Sequence, residues 1–433
     1  MMQLEEIEGS LIDDRFKGIP LGVKPFELRD IGKQGWNVLV QDLPLPLAIL
    51  KSSALEHNRD WMRRFLQATG TQLYPHGKTT MSPQLFALQL ADGARGISLA
   101  TVHQLAIARR FGVQRILLAN QLIVPSAIDS VATLLQQDDG FELLCLVDSA
   151  ESVRRLADAA RRLSLRRPIE VLLEVGAAGA RCGVRDLSSA LSVARAVTQS
   201  GSGLQLRGVE GFEGTIGGTT LEETEAAISR YLAFLWEVAA KCCDEGLLDR
   251  KMMLLSAGGS AFFDLVVQSG NQHLLEPRPE VILRSGCYLT HDSFFYQQLH
   301  QRMLGRCEQA ERLGEGLRGA LELWGCVQSR PEPTRAVLNF GKRDCSYDIH
   351  LPLLTHWFRP GEHAVPIVIP ASHRIASLND QHAIVDLPPE SPLRVGDLVA
   401  AGISHPCTTF DKWQLVPLVD DAYNVTGAIR TFF

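Results

Sequence analysis

Thr71 to Met81 reads TQLYPHGKTTM. A short apolar run of strand type stops at Pro75. Lys78 follows shortly after, with Gly77 before it and the hydroxyls of Thr79 and Thr80 behind it. No acidic residue stands nearby to pair with that lysine. Lys78 is either a solvated loop residue or an amine held at the end of a strand, and the sequence beyond it decides which fold carries it. From about residue 70 to 290, strand-type runs alternate with longer amphipathic stretches of helical period. The strand candidates are TQLYP (71–75), GISLA (96–100), RILLA (115–119), ELLCLV (142–147), IEVLLEV (169–175), LRGVEG (206–211), MMLLS (252–256) and EVILR (280–284). Stretches such as TVHQLAIARRFG and SVRRLADAARRLS lie between them. This alternation makes a parallel sheet. Eight strands in roughly 220 residues fit a closed (β/α)8 TIM barrel. An open doubly wound sheet competes, but no GxGxxG follows the first strand.

Beyond about residue 305 the rhythm changes. AVLNFG, HAVPIVIP, QHAIVDLP, GDLVAAGI and QLVPLVDD are short apolar runs among prolines and glycines, which reads as a C-terminal β domain. PLPLAIL (44–50) is another strand-like run, able to pair with that domain. The expected division is an N-terminal segment (1–45) pairing with the β domain, a barrel (46–305) and the β domain itself (306–433). A chain of 433 residues is long enough for one large domain and a smaller one. At 45% hydrophobic and 21% charged it should be globular. The net charge of −6 comes from interspersed signs, with no basic patch, so the expected partner is a small molecule and not nucleic acid. No apolar stretch approaches the roughly 20 residues of a membrane span, and the acidic N-terminus lacks a basic, apolar leader. Nine scattered cysteines, an odd number, suit free thiols in a reducing compartment. The expectation is therefore a cytoplasmic protein with no membrane partner. Cys242 and Cys243 fall in a helical stretch and read as structural.

A (β/α)8 barrel carries its active site at the C-terminal ends of the strands. The first run is followed by Pro75-His76-Gly77-Lys78, the fifth by Arg181 in the small-residue loop GAAGARCGV, and the sixth by Glu213 in FEGTIGG. The seventh is followed by Ser256-Ala257-Gly258-Gly259-Ser260, the eighth by Ser285-Gly286-Cys287-Tyr288. Two consecutive loops of that kind lie where barrels often build a phosphate site from backbone N–H groups. A lysine facing a phosphate cradle suggests pyridoxal 5'-phosphate, which needs an amine, an anion site and a partner for its ring nitrogen. The competing reading is a surface lysine among plain turns. In the β domain, GISHPCTTFDKW holds His405 and Cys407. Two apart on a strand they would share a face, and a nitrogen with a sulfur suits zinc or another divalent metal, with coordination positions left open. The competing reading is a core histidine near a buried free cysteine. His103 and His291 are isolated and read as surface or packing residues.

PHGKTTM, EVGAAGARCGV, LLSAGGS, LRSGCYLTHD, LNDQHAIV and SHPCTTFDKW occur in that order. Together they resemble the D-serine dehydratase and D-threonine aldolase family, fold type III pyridoxal-phosphate enzymes whose barrel is of the alanine-racemase type. The resemblance runs from about residue 40 to the C-terminus. It implies that Lys78 bonds the cofactor and takes the substrate's Cα proton, with His76 a further cofactor-binding residue and Arg181 near the pyridine ring. It implies that Ser256, Gly258, Gly259, Ser260, Gly286, Cys287 and Tyr288 form the phosphate site, and that His405 and Cys407 hold a divalent metal, usually zinc. It also implies a homodimer with active sites near the interface. The cysteine at 407 is similar to the dehydratase branch; the aldolase branch tends to have aspartate there. The chain departs from the family pattern at Tyr74, Thr80-Met81, Gly176 and Phe212-Glu213-Gly214-Thr215. The expected reaction is metal-assisted dehydration of a D-3-hydroxy amino acid such as D-serine to a 2-oxo acid and ammonia. Retro-aldol cleavage of the D-threonine aldolase type and racemisation are the enzymatic alternatives. A non-catalytic cofactor carrier would need no β domain, and a metal-dependent hydrolase would need several His and Asp ligands at the strand ends.

Overall fold

A computed structural model of the chain describes residues 2–273 and 275–433. All eight strand candidates form strands of one parallel sheet: Gln72–Leu73, Ile97–Leu99, Arg115–Gln121, Glu142–Val147, Ile169–Val175, Leu204–Gly211, Leu254–Ala257 and Glu280–Leu283. From the second to the eighth each pairs with the next in the chain, and the eighth also pairs with the first. A parallel bridge between His76 and Ser98 joins the first strand to the second and closes the ring. The first ladder is short because Pro75 has no N–H to give it.

The helices follow their apolar spacing. On Ala150–Arg162, Val153, Leu156, Ala157 and Ala160 are buried against the sheet while Arg154 and Arg161 face water. Ser149 starts that helix by accepting from the Ser152 N–H. Inside the ring, Tyr74, Leu117, Leu144, Leu146, Leu172, Leu254 and Ile282 form a separate apolar cluster, so the barrel is packed and is not a pore. At its N-terminal end Arg95 pairs with Glu280 and Arg115 with Glu142, both at 2.9 Å, and Arg207 pairs with Glu170. The opposite end is thereby left for function.

The PLPLAIL run supplies the strand Leu47–Lys51. It pairs antiparallel with Leu321–Glu332, Leu323 lying opposite Ala48, and parallel with Leu415–Val419. The chain thus enters through the β domain, builds the barrel and returns. Leu321–Glu332 is also flanked by Leu398–Gly402 and Arg335–Leu338. Cys242 and Cys243 are buried on the helix Leu221–Asp244, as their setting predicts, and all nine cysteines are free thiols. His291 is buried, its ring edge-on to His300, in keeping with a packing role. Among the described residues no helix is long and apolar enough to cross a membrane.

Candidate active site

Lys78 lies in the 3-10 turn Gly77–Thr79 directly after the first barrel strand. It is half-buried and makes no salt bridge among the described residues. Burial lowers its pKa, and the nearby charges of Arg181 and Arg284 push the same way against Cys407 and Cys287. A lysine of this kind offers a free amine at lower pH than a solvated one. His76 is held well below the ordinary histidine range by burial, with Lys78 and Arg284 adding to the effect, and its Nδ1 is buried without a partner.

The two Gly-rich loops meet opposite Lys78. Ser285 Oγ donates to the carbonyls of Gly258 and Gly259, at 3.2 and 3.1 Å, and the Cys287 N–H donates to Ser260 Oγ at 3.1 Å. Gly258 has φ +88°, a conformation that favours glycine. At Gly286 a Cβ would lie 2.5 Å from the His76 carbonyl oxygen, so only glycine lets the eighth loop touch the lysine loop. The N–H groups of Gly258 and Gly259 point at one spot, and the Glu213 carboxylate sits there, 3.0 and 2.6 Å away. Ser256 is buried in its strand with its hydroxyl unpartnered. Tyr288 is turned into the core, where burial raises its phenol pKa. Arg181 is exposed, its guanidinium 4.6 Å above the Phe212 ring.

Sequence reasoning missed a buried ion pair. Arg284, just past the eighth strand, bonds Glu210 on the sixth at 2.5 Å and the Gly211 carbonyl at 2.6 Å. Both side chains are almost wholly buried, and Arg284 Nε and Glu210 Oε2 have no partner. Burial pushes Glu210 up to about 8 even though Arg284 opposes it. Arg284→Met leaves that carboxyl buried without its cation and is expected to cost about 3–5 kcal/mol in urea denaturation at a pH where Glu210 is ionised, and less where it is neutral. The neutral form of Glu210 is the one the fold prefers. The stability that the neutral form contributes is therefore lost as pH rises from the ordinary carboxyl range to about 8, and the penalty of Arg284→Met should grow as pH rises through about 8, where the native Glu210 ionises against its cation.

The expected strand geometry of His405 and Cys407 is corrected. The strand Leu398–Gly402 ends before them; His405 lies in the following loop and Cys407 opens the helix Cys407–Phe410. Pro406 between them cannot continue a ladder. The two side chains are nevertheless near enough for Cys407 to help hold the His405 imidazole up. His405 Nδ1 is fixed by Asp348 at 2.6 Å, and Asp348 also accepts from Thr408 at 2.8 Å. Burial alone would lower His405, but Cys407 and Asp348 outweigh it and hold the imidazole at about 9. A carboxylate behind a histidine fixes its tautomer and orientation, the usual support for a metal ligand. Cys407 Sγ is 3.4 Å from Thr79 Oγ1, next to Lys78, and 3.8 Å from Cys287 Sγ. The Cys287 thiol therefore lies toward the His405–Cys407 pair.

A racemase-type barrel with a lysine at its mouth, closed over by a β domain carrying soft donors, defines a fold type III pyridoxal-phosphate enzyme. The chain belongs to the family described as "Alanine racemase, N-terminal domain", matched over residues 50–266. Residues 320–419 match "Putative serine dehydratase domain". A 3-hydroxy-D-aspartate aldolase of Paracoccus denitrificans is 25% identical over 72% of this chain and 76% of its own length. A D-threonine aldolase of Arthrobacter sp. is 23% identical over 87% of this chain and 89% of its own. The structure of D-threo-3-hydroxyaspartate dehydratase from Delftia sp. superposes with a TM-score of 0.71 at 20% identity, over 91% of this chain and 99% of that one. These relatives are lyases, and this chain is an enzyme of that class.

Proposed function

We propose that the chain dehydrates a D-3-hydroxy amino acid such as D-serine to a 2-oxo acid and ammonia, using pyridoxal 5'-phosphate and a divalent metal, zinc in the first instance. One observation carries this reading: Cys407, a soft metal donor from the β domain, touches Thr79 beside the half-buried amine of Lys78. A base and a candidate Lewis-acid site thus share one mouth.

The residues fit the cofactor. Lys78 is an unpaired amine of lowered pKa, and the Gly258 and Gly259 amides already hold an anion, the Glu213 carboxylate. Arg284 and Glu210 offer a buried polar pair to a ring. When bound, pyridoxal phosphate supplies an aldehyde for amines and a ring that withdraws electrons from Cα. Lys78 binds it and then removes the substrate's Cα proton. The donor set of His405 and Cys407, oriented by Asp348, fits zinc, which would supply a Lewis acid for the β-hydroxyl, otherwise a poor leaving group. We take the working form to be a homodimer in the cytoplasm with a small D-amino acid as its only partner.

Retro-aldol cleavage is the second reading, supported by the two aldolase relatives. It would use the same lysine and metal with a base on the β-hydroxyl. A panel of D- and L-3-hydroxy amino acids, run with and without chelator, separates them. Ammonia and a 2-oxo acid from D-serine, lost on chelation, is the expected result. Glycine and an aldehyde from D-threonine would make the chain an aldolase, and L-serine from D-serine a racemase.

A further inference from the structure

Glu213 is fully buried in the turn Glu213–Thr215 that follows the sixth strand. Its carboxylate accepts from two consecutive amides, Gly258 and Gly259, at 3.0 and 2.6 Å. Among the described residues it has no salt-bridge partner, so those two N–H dipoles are what its charge rests on. Two converging backbone N–H groups form an anion-binding concavity that serves a carboxylate or a phosphate alike. The turn is wedged in place: the Phe212 ring covers Gly259, where a Cβ would lie 2.8 Å from Phe212 Cε2, and Arg181 stacks on the outer face of that ring. Phe212 and Arg181 thus cover the turn that carries Glu213.

We infer that Glu213 is an internal competitor for the phosphate cradle and sets how tightly this chain holds its cofactor. This rests on the reading that the loop Ser256–Ser260 takes the phosphate. A phosphate dianion cannot share two amides with a carboxylate: like charges at that distance in a buried site repel, and each amide has one hydrogen to give. The phosphate seats only when Glu213 withdraws. Cofactor affinity is then the cradle's intrinsic affinity reduced by the fraction of molecules in which Glu213 already occupies it. The opposite role for the same contact is a brace, in which Glu213 holds the loop in shape for a phosphate bound elsewhere along it.

Competitor and brace predict opposite signs. The full-length protein, stripped of cofactor, is titrated with pyridoxal phosphate for wild type, Glu213→Gln and Glu213→Ala, following the cofactor's absorbance and the quenching of tryptophan fluorescence. Inorganic phosphate alone is added in a parallel thermal-shift series. As competitor, Glu213→Ala binds the cofactor about tenfold or more tightly than wild type, the size expected when charged hydrogen bonds no longer have to be displaced. Glu213→Gln, isosteric and neutral, falls between and covers the case in which the alanine variant folds poorly. Inorganic phosphate raises the melting temperature of both variants more than that of wild type. Equal or weaker cofactor and phosphate binding in the variants overturns the proposal and makes Glu213 a brace. If neither wild type nor variants take up pyridoxal phosphate, the cofactor reading fails. The phosphate series then still decides, a larger shift in the variants supporting competition and an equal one overturning it.

Discussion

Lys78→Ala is expected to abolish the visible absorbance of lysine-bound pyridoxal phosphate and to slow Cα proton exchange by about 10²–10⁴-fold, the usual worth of a positioned base. The residue stands in a 3-10 turn at the barrel mouth, half-buried and without a salt-bridge partner among the described residues. Its removal breaks no ion pair, so folding stability should stay within about 0.5 kcal/mol of wild type. That separates a chemical defect from a structural one. Lys78→Arg should not rescue, because a guanidinium keeps its proton at any working pH and cannot act as nucleophile or base. Proton exchange is read by the loss of the Cα hydrogen signal in deuterated solvent. A variant that keeps the visible band and exchanges at the wild-type rate would move the chemistry to another lysine.

The barrel was legible because its signal is local. Each strand is a short apolar run between amphipathic helices, and all eight formed where the period changes. The boundaries shifted where a single residue overrides the run, as at Pro75, which shortens the first ladder to Gln72–Leu73. The place of Lys78 followed from the same rhythm, since a barrel's function lies after its strands. Misreading His405 and Cys407 as strand neighbours had a visible remedy, because Pro406 stands between them and has no N–H to give a ladder. The hydrogen bonds of Glu213 to Gly258 and Gly259, the Arg284–Glu210 pair and the 3.8 Å approach of Cys287 to Cys407 join segments far apart in the chain. No local pattern encodes them. They exist only once the ring has closed and the β domain has folded against its mouth. The acidic Glu213 was conspicuous in its loop, but its anchorage on two backbone amides depends on the register of the sixth and seventh strands, where Leu254 lies opposite Gly208.

Cys407→Ala should leave the cofactor on Lys78 and still lose elimination. The two functions sit on different parts of the chain: the lysine and Gly-rich loops belong to the barrel, whereas His405, Cys407 and Asp348 belong to the β domain. Removing one thiol therefore spares the visible band. It takes away one of the two proposed ligands, and His405 with its Asp348 support cannot alone hold a divalent ion against a chelator. The β-hydroxyl then has to leave as hydroxide without assistance. If the metal contributes about 4 kcal/mol of charge stabilisation, the rate of 2-oxo acid formation should fall by about 10³-fold. Proton exchange at Cα should persist, because it needs only Lys78 and the ring. Three readings on one sample decide the matter: elemental analysis for bound metal, deuterium uptake into D-serine, and pyruvate formation. Metal lost, exchange kept and pyruvate abolished is the expected set. Wild-type pyruvate formation by Cys407→Ala, or by the native protein after exhaustive chelation, would take the metal out of the reaction and assign His405 and Cys407 to holding the β domain against Thr79.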